Sequence, residues 1–144
     1  MRNRVAQWFV AGSLALAATG CRQSPERIVD GAWVRLPAVP GRPAAAYFRV
    51  MGGRDATRLI GVEVDGARRS ELHESGNGGM RRLADLPIPA DTIVEFGPGG
   101  RHVMLFGLDP RLKAGARTTV RLVLGDGRRP AAPARVVGPA DPAP

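Results

Sequence analysis

An all-β sandwich or barrel is the fold this sequence predicts, and three observations predict it. Short apolar segments recur at intervals of about ten residues, Gly, Pro, Asp and Asn punctuate them, and no window sustains a helical period. Ala32–Leu36, with Trp33 and Val34, is the first candidate strand, opening after Gly31. Ala45–Val50 follows the Pro40-Gly41 turn and carries Tyr47, Phe48 and Val50. Gly52-Gly53 separates it from Leu59–Val64, which ends at Asp65-Gly66. Ser70–Glu74 and Met80–Leu83 flank the Gly-rich loop around Asn77-Gly78-Gly79, the pattern of a hairpin. Thr92–Phe96 runs into Gly97-Pro98-Gly99-Gly100, and His102–Gly107 leaves that turn as a nearly continuous apolar run ending before Asp109-Pro110. Thr118–Leu124 alternates Val120, Leu122 and Leu124 on one face, then turns at Asp126-Gly127. Ala134–Val137 is a weaker strand candidate inside a Pro/Ala-rich stretch.

The 144 residues suit one domain. The expected organisation is a lipoprotein signal peptide over 1–20, a tether over 21–30, a β-sandwich over 31–128 and a loosely ordered Pro/Ala-rich tail over 129–144. Arg2 and Arg4 precede an apolar stretch from Trp8 to Ala18, too short to span a bilayer and of the length of a signal-peptide core. Ala18-Thr19-Gly20 then leads into Cys21, the only cysteine, in the manner of a bacterial lipoprotein cleavage box. The other reading is an ordinary secretory signal with Cys21 unmodified. Both export the chain to an oxidising compartment, where a lone cysteine forms no internal disulfide. Arg22 after the cysteine hints at outer-membrane sorting.

Formal charge is +8, and removal of Arg2 and Arg4 with the leader would leave +6. Every cation but Lys113 is arginine. Pairs such as Arg68-Arg69, Arg81-Arg82 and Arg128-Arg129 are scattered and lack interleaved aromatics, so nucleic acid is not an expected partner. An anionic membrane or an acidic partner fits a solvated arginine-rich surface better.

The chemistry concentrates in His73, Met80, His102 and Met104. His73 and His102 are the only histidines, and Met80 and Met104 are two of the three methionines beyond the initiator. Spacing of two along a strand sends the His102 imidazole and the Met104 thioether to one side. Taken singly, a strand methionine is usually core and a strand-end histidine is usually surface. Together they form a set of neutral nitrogen and soft sulfur donors, without thiolate, of the kind that suits Cu(I) better than Mg, Ca or Mn. A thioether also binds without deprotonation and forms no disulfide, which suits an exported protein. His73 closing one strand, Met80 opening the next and His102 opening a third are expected to converge where loops cluster at one rim of the sandwich.

His, then Met, then twenty-one residues to His-x-Met is the motif of the periplasmic copper chaperones of the PCuAC type, and this chain resembles them. Ala32-Trp33-Val34-Arg35, Ala45-Ala46-Tyr47-Phe48, Arg58-Leu59-Ile60-Gly61-Val62, Glu71-Leu72-His73-Glu74, Ile88-Pro89-Ala90 and Pro98-Gly99-Gly100-Arg101-His102-Val103-Met104-Leu105 carry the likeness, from about Gly31 to Leu124. One departure is a shortened loop. Six residues lie between His73 and Met80 where relatives carry about ten, so His73, His102 and Met104 are the three donors the motif places best.

The resemblance implies a cupredoxin-like Greek-key β-sandwich that binds Cu(I) through these four side chains. It also implies delivery to an envelope cuproprotein such as the CuA centre of cytochrome c oxidase, alongside a Sco-type protein. The expected location is the periplasmic side of the bacterial envelope, with a lipid anchor on Cys21. A copper store or scavenger and a metal-free envelope lipoprotein serving as an interaction module are the alternatives. An electron-transfer cupredoxin is set aside, because it needs a cysteine thiolate beside two histidines. An enzyme is not expected: no Ser/His/Asp or Cys/His set assembles, and Glu71 and Glu74 read as solvated strand-end charges.

Overall fold

Alternation of apolar and polar side chains, interrupted by turn residues every few positions, builds ten strands and no helix among the described residues. The computed structural model describes residues 28–144. The leader, Cys21 and most of the expected tether therefore lie outside the described residues. The strands are β1 (Val29–Arg35), β2 (Ala44–Met51), β3 (Thr57–Val64), β4 (Arg69–Gly76), β5 (Gly79–Leu83), β6 (Leu86–Ile88), β7 (Ile93–Phe96), β8 (Arg101–Phe106), β9 (Arg117–Leu124) and β10 (Ala131–Val137). Their hydrogen-bonded order is β5-β4-β8-β2-β1-β10-β9-β3-β6, with β7 also paired to β2. These pairs run antiparallel except β1 and β10, which are parallel.

The sheet folds over one core. Val34, Phe48, Leu59, Leu105, Leu122 and Val136 are all but fully buried in it. Phe48 and Phe96 stack at its centre, with ring centroids 4.5 Å apart. A second, smaller cluster forms on the opposite face of β1 and β2, where Trp33, Tyr47 and Val137 pack with Ala45. The Trp33 and Tyr47 rings are 4.4 Å apart, and the Arg35 guanidinium lies 4.9 Å from the centre of the Trp33 ring. Arg35 also donates from Nη1 to the carbonyls of Gly138, Pro139 and Asp141, tying the C-terminal residues to β1.

Three elements differ from the sequence expectation. The stretch expected to be a loose tail contains β10, which lies between β1 and β9. Pro130 and Pro133 disguise it. Pro133 is tolerated because β1 pairs only from Arg135 onward, so the prolines fall where β10 is bonded on one side alone. The domain also begins before Gly31. Val29 is buried and pairs with Val50, and Gly31 marks a shift of register inside β1 with a left-handed φ of 60°. Finally, Leu86-Pro87-Ile88 forms the short strand β6, at the end of the strand order, where a proline is acceptable.

Two aspartates hold the turns flanking β9. Asp109 accepts from the backbone N–H of Arg111 at 2.9 Å and from its guanidinium Nη2 at 2.7 Å. Asp126 accepts in the same way from Arg128, at 3.0 and 2.7 Å. The arginine side chain, seconded by the backbone bond, holds each carboxyl at about 2, below the ordinary 3.8. A carboxyl with a lowered folded pKa stabilises the fold above its unfolded value and loses that contribution as pH falls through its folded value. The melting temperature is therefore expected to drop between about pH 4 and pH 2. Asp126→Asn should flatten part of that drop in scanning calorimetry; an unchanged acid limb would exclude this turn as a source.

Candidate metal centre

β4 and β8 are neighbours, and their register puts His73 directly opposite His102 and Glu71 opposite Met104. Met104 in turn faces Ala45 of β2. Cross-strand partners share a face of the sheet, so His73, His102, Glu71 and Met104 occupy one face. The intervening Leu72, Val103 and Leu105 point into the core. The β4–β5 hairpin adds a third strand to this face. Asn77 and Gly78 make its turn, and the left-handed position falls on Gly79, with φ 92°. The register of β5 then sets Arg82 opposite His73 and Met80 opposite Ser75, on the His73 side.

The two imidazoles lie 5.9 Å apart between centroids, inclined at 25°. With metal–nitrogen bonds near 2 Å, two imidazoles around one ion have centroids about 5–6 Å apart. Met80 Sδ is 3.2 Å from His102 Nε2. A thioether and an imidazole nitrogen on one tetrahedral ion would be about 3.5 Å apart, so the pair needs little movement to share one. On its other side, His102 Nδ1 is 3.0 Å from the Gly100 carbonyl. A carbonyl only accepts, so Nδ1 carries the proton and the neutral ring keeps its Nε2 lone pair toward the sulfur. The His73 side chain is 12% exposed. Its Nε2 contacts Glu71 Oε2 at 3.1 Å, while its Nδ1 is buried and has no hydrogen-bond partner. Such an orphaned nitrogen beside a second imidazole fits a site built to receive an ion.

Glu71 is the residue the sequence reading missed. Its side chain is only 9% exposed, in contrast to the solvated role expected of it. The hydrogen bond to His73, with Arg69 and Arg82 nearby, holds its carboxyl below the ordinary carboxylate range against the opposing effect of burial. The signal was available, since Glu71 and His73 are two apart on one strand and so share a face. Glu74 falls on the other face, paired to Arg81 at 2.5 Å and Arg101 at 3.2 Å.

Two further details depart from expectation. The candidate donors sit on an open sheet face rather than in rim loops, because β4 continues to Gly76 and leaves His73 within the strand. And the shortened loop brings Met80 in rather than withdrawing it: Met80 is 54% exposed, yet its sulfur touches His102. Met104 is brought to the same face by register, one step along the ladder from the His73–His102 pair. Among the described residues no three His, Cys, Asp or Glu side chains converge on a metal position, so a centre with more than two side-chain ligands here draws on the thioethers.

Residues 28–136 match the LpqE-like family, described as one of lipoproteins. The chain belongs to the LpqE-like family. A protein of Leifsonia xyli subsp. xyli named as a lipoprotein, Lxx21020, is 30% identical in an alignment 142 positions long that covers 87% of this chain and 85% of the relative. Among solved structures, the copper-bound PCuAC domain from PmoF2 is similar to this LpqE-like chain, with a TM-score of 0.66 at 25% identity, covering 77% of this chain and 92% of that one. The Cu(I) form of DR1885 from Deinococcus radiodurans gives 0.65 at 27% identity, covering 83% of each chain. The resemblance to PCuAC domains and the all-β, cupredoxin-like fold expected from sequence are both borne out.

Proposed function

We propose that this LpqE-like protein is an exported Cu(I)-binding chaperone. His73, Met80, His102 and Met104 would hold the ion as cargo. The observation that carries the reading is the convergence of both histidines with the Met80 sulfur, 3.2 Å from His102 Nε2, on an open face. The copper-bound PCuAC domains of similar fold support it. Delivery asks for a site that holds Cu(I) yet admits an attacking ligand. Neutral donors, one of them an exposed thioether on the edge strand β5, allow exchange one ligand at a time. No bound thiolate needs protonation on release.

The acceptor is an envelope cuproprotein, for which the CuA subunit of cytochrome c oxidase is the first candidate, alongside a Sco-type thiol protein. Membership of a lipoprotein family supports anchoring through Cys21 on the periplasmic side of the envelope. Cu(I) competition titration of residues 28–144, followed by mixing the loaded protein with an apo CuA domain, tests the proposal. One tightly bound ion that moves to the acceptor is the expected result. Binding without transfer would make the protein a store, and no binding would leave an interaction module.

A further inference from the structure

We propose that Glu71 is a positioning residue for copper. By accepting the Nε2 proton of His73 it holds that ring in the tautomer whose Nδ1 lone pair takes the ion. The two imidazoles would then bind through different nitrogens, Nδ1 of His73 and Nε2 of His102. This rests on the Cu(I) reading above.

An ionised carboxylate can only accept, so the contact of 3.1 Å between His73 Nε2 and Glu71 Oε2 places the ring proton on Nε2. A neutral imidazole has a single N–H, which leaves the buried, unpartnered Nδ1 as the donor atom. Glu71 has little freedom to turn away. Arg69 bonds its other oxygen, Oε1, and Arg82 Nη1 approaches the same atom at 3.8 Å. Arg69 is itself held over the Phe106 ring, 4.1 Å from its centre. Oε2 is thereby left to His73. Carboxylates that orient a ligating imidazole in this way fix its tautomer and raise its basicity. His102 is oriented by a backbone carbonyl instead, that of Gly100. Of the two rings, His73 is the one whose proton is held by a carboxylate.

Nitrogen-15 correlation spectra of the histidine side chains in the metal-free protein at mildly alkaline pH, paired with Cu(I) competition titration, test this. Wild type should show His73 as the Nε2–H tautomer. Glu71→Ala should give a mixture of tautomers and a Cu(I) affinity about 10–100-fold weaker. Glu71→Gln has a single accepting oxygen, for which Arg69 and His73 compete, and should give a partial tautomer mixture and a smaller loss of affinity than the alanine variant. Glu74→Ala, on the opposite face, should change neither. An Nδ1–H tautomer in wild type overturns the proposal even if the alanine variant does not fold. An alanine variant with unaltered tautomer and affinity overturns it too, as does an equal loss in Glu74→Ala. Failure of wild type to bind Cu(I) would overturn the copper reading and this role together, a result distinct from the others, in all of which wild type binds.

Discussion

Replacing His102 by alanine is expected to weaken Cu(I) binding by more than about 100-fold, beyond the 10–100-fold typical for loss of an outer partner of a metal ligand. His102 is the hub of the candidate centre. Its ring lies 5.9 Å from His73, its Nε2 is 3.2 Å from the Met80 sulfur, and its strand carries Met104 to the same face. The Gly100 carbonyl already fixes its proton on Nδ1, so the ring is preorganised before any ion arrives. Met80→Leu and Met104→Leu each remove one thioether and keep comparable bulk, so each should weaken binding by a smaller factor. All three side chains face away from the main core, and melting temperatures should move little. Competition against a Cu(I) chelator, with melting curves in parallel, separates lost ligation from lost fold. Unchanged affinity in His102→Ala and Met104→Leu would remove the centre as drawn.

Ending the chain after Arg128 is expected to abolish folding. Composition marks residues 129–144 as dispensable, but β10 bridges β1 and β9 and buries Ala132, Ala134, Val136 and Val137. Two buried valines alone represent about 3–6 kcal/mol of hydrophobic stabilisation. That is a large part of the roughly 5–15 kcal/mol a domain possesses, before two hydrogen-bonded ladders are counted. The truncated chain would also expose β1 and β9 as unpaired edges that invite aggregation. Ending the chain after Asp141 instead leaves every strand and the Arg35 carbonyl contacts in place and should change little. Circular dichroism and amide proton dispersion read both outcomes; a well-dispersed spectrum from residues 28–128 would falsify the prediction.

Where side chain and turn chemistry agreed, the strands were legible. Thr118–Leu124 alternates cleanly because one of its faces is buried at every second residue, and β9 occupies Arg117–Leu124. Asn77-Gly78-Gly79 announced the hairpin, although β4 extends further into it than its polar residues suggested. Strands with prolines or an internal glycine were harder to see. Pro133 and Pro87 are harmless where one side of the strand lacks a partner, and no local pattern reveals which side that is. The centre was legible in part. The His-x-Met spacing put two donors on one face by strand geometry alone. The role of Glu71 needed the structure, since its burial and its contact with His73 depend on what β8 and β5 place around it.

By itself, the sequence determined local matters: strand periodicity, turn positions, and the identity of the uncharged nitrogen and sulfur donors. Those follow from covalent spacing and side-chain chemistry, which act within a few residues. Only the tertiary structure decided that His73 stands opposite His102, that the Met80 sulfur reaches the imidazole across a short hairpin, and that the C-terminal strand completes the sheet. Register and strand order arise from pairing between distant segments. The balance of ladder hydrogen bonds and core packing that selects them exists only once the whole chain is folded.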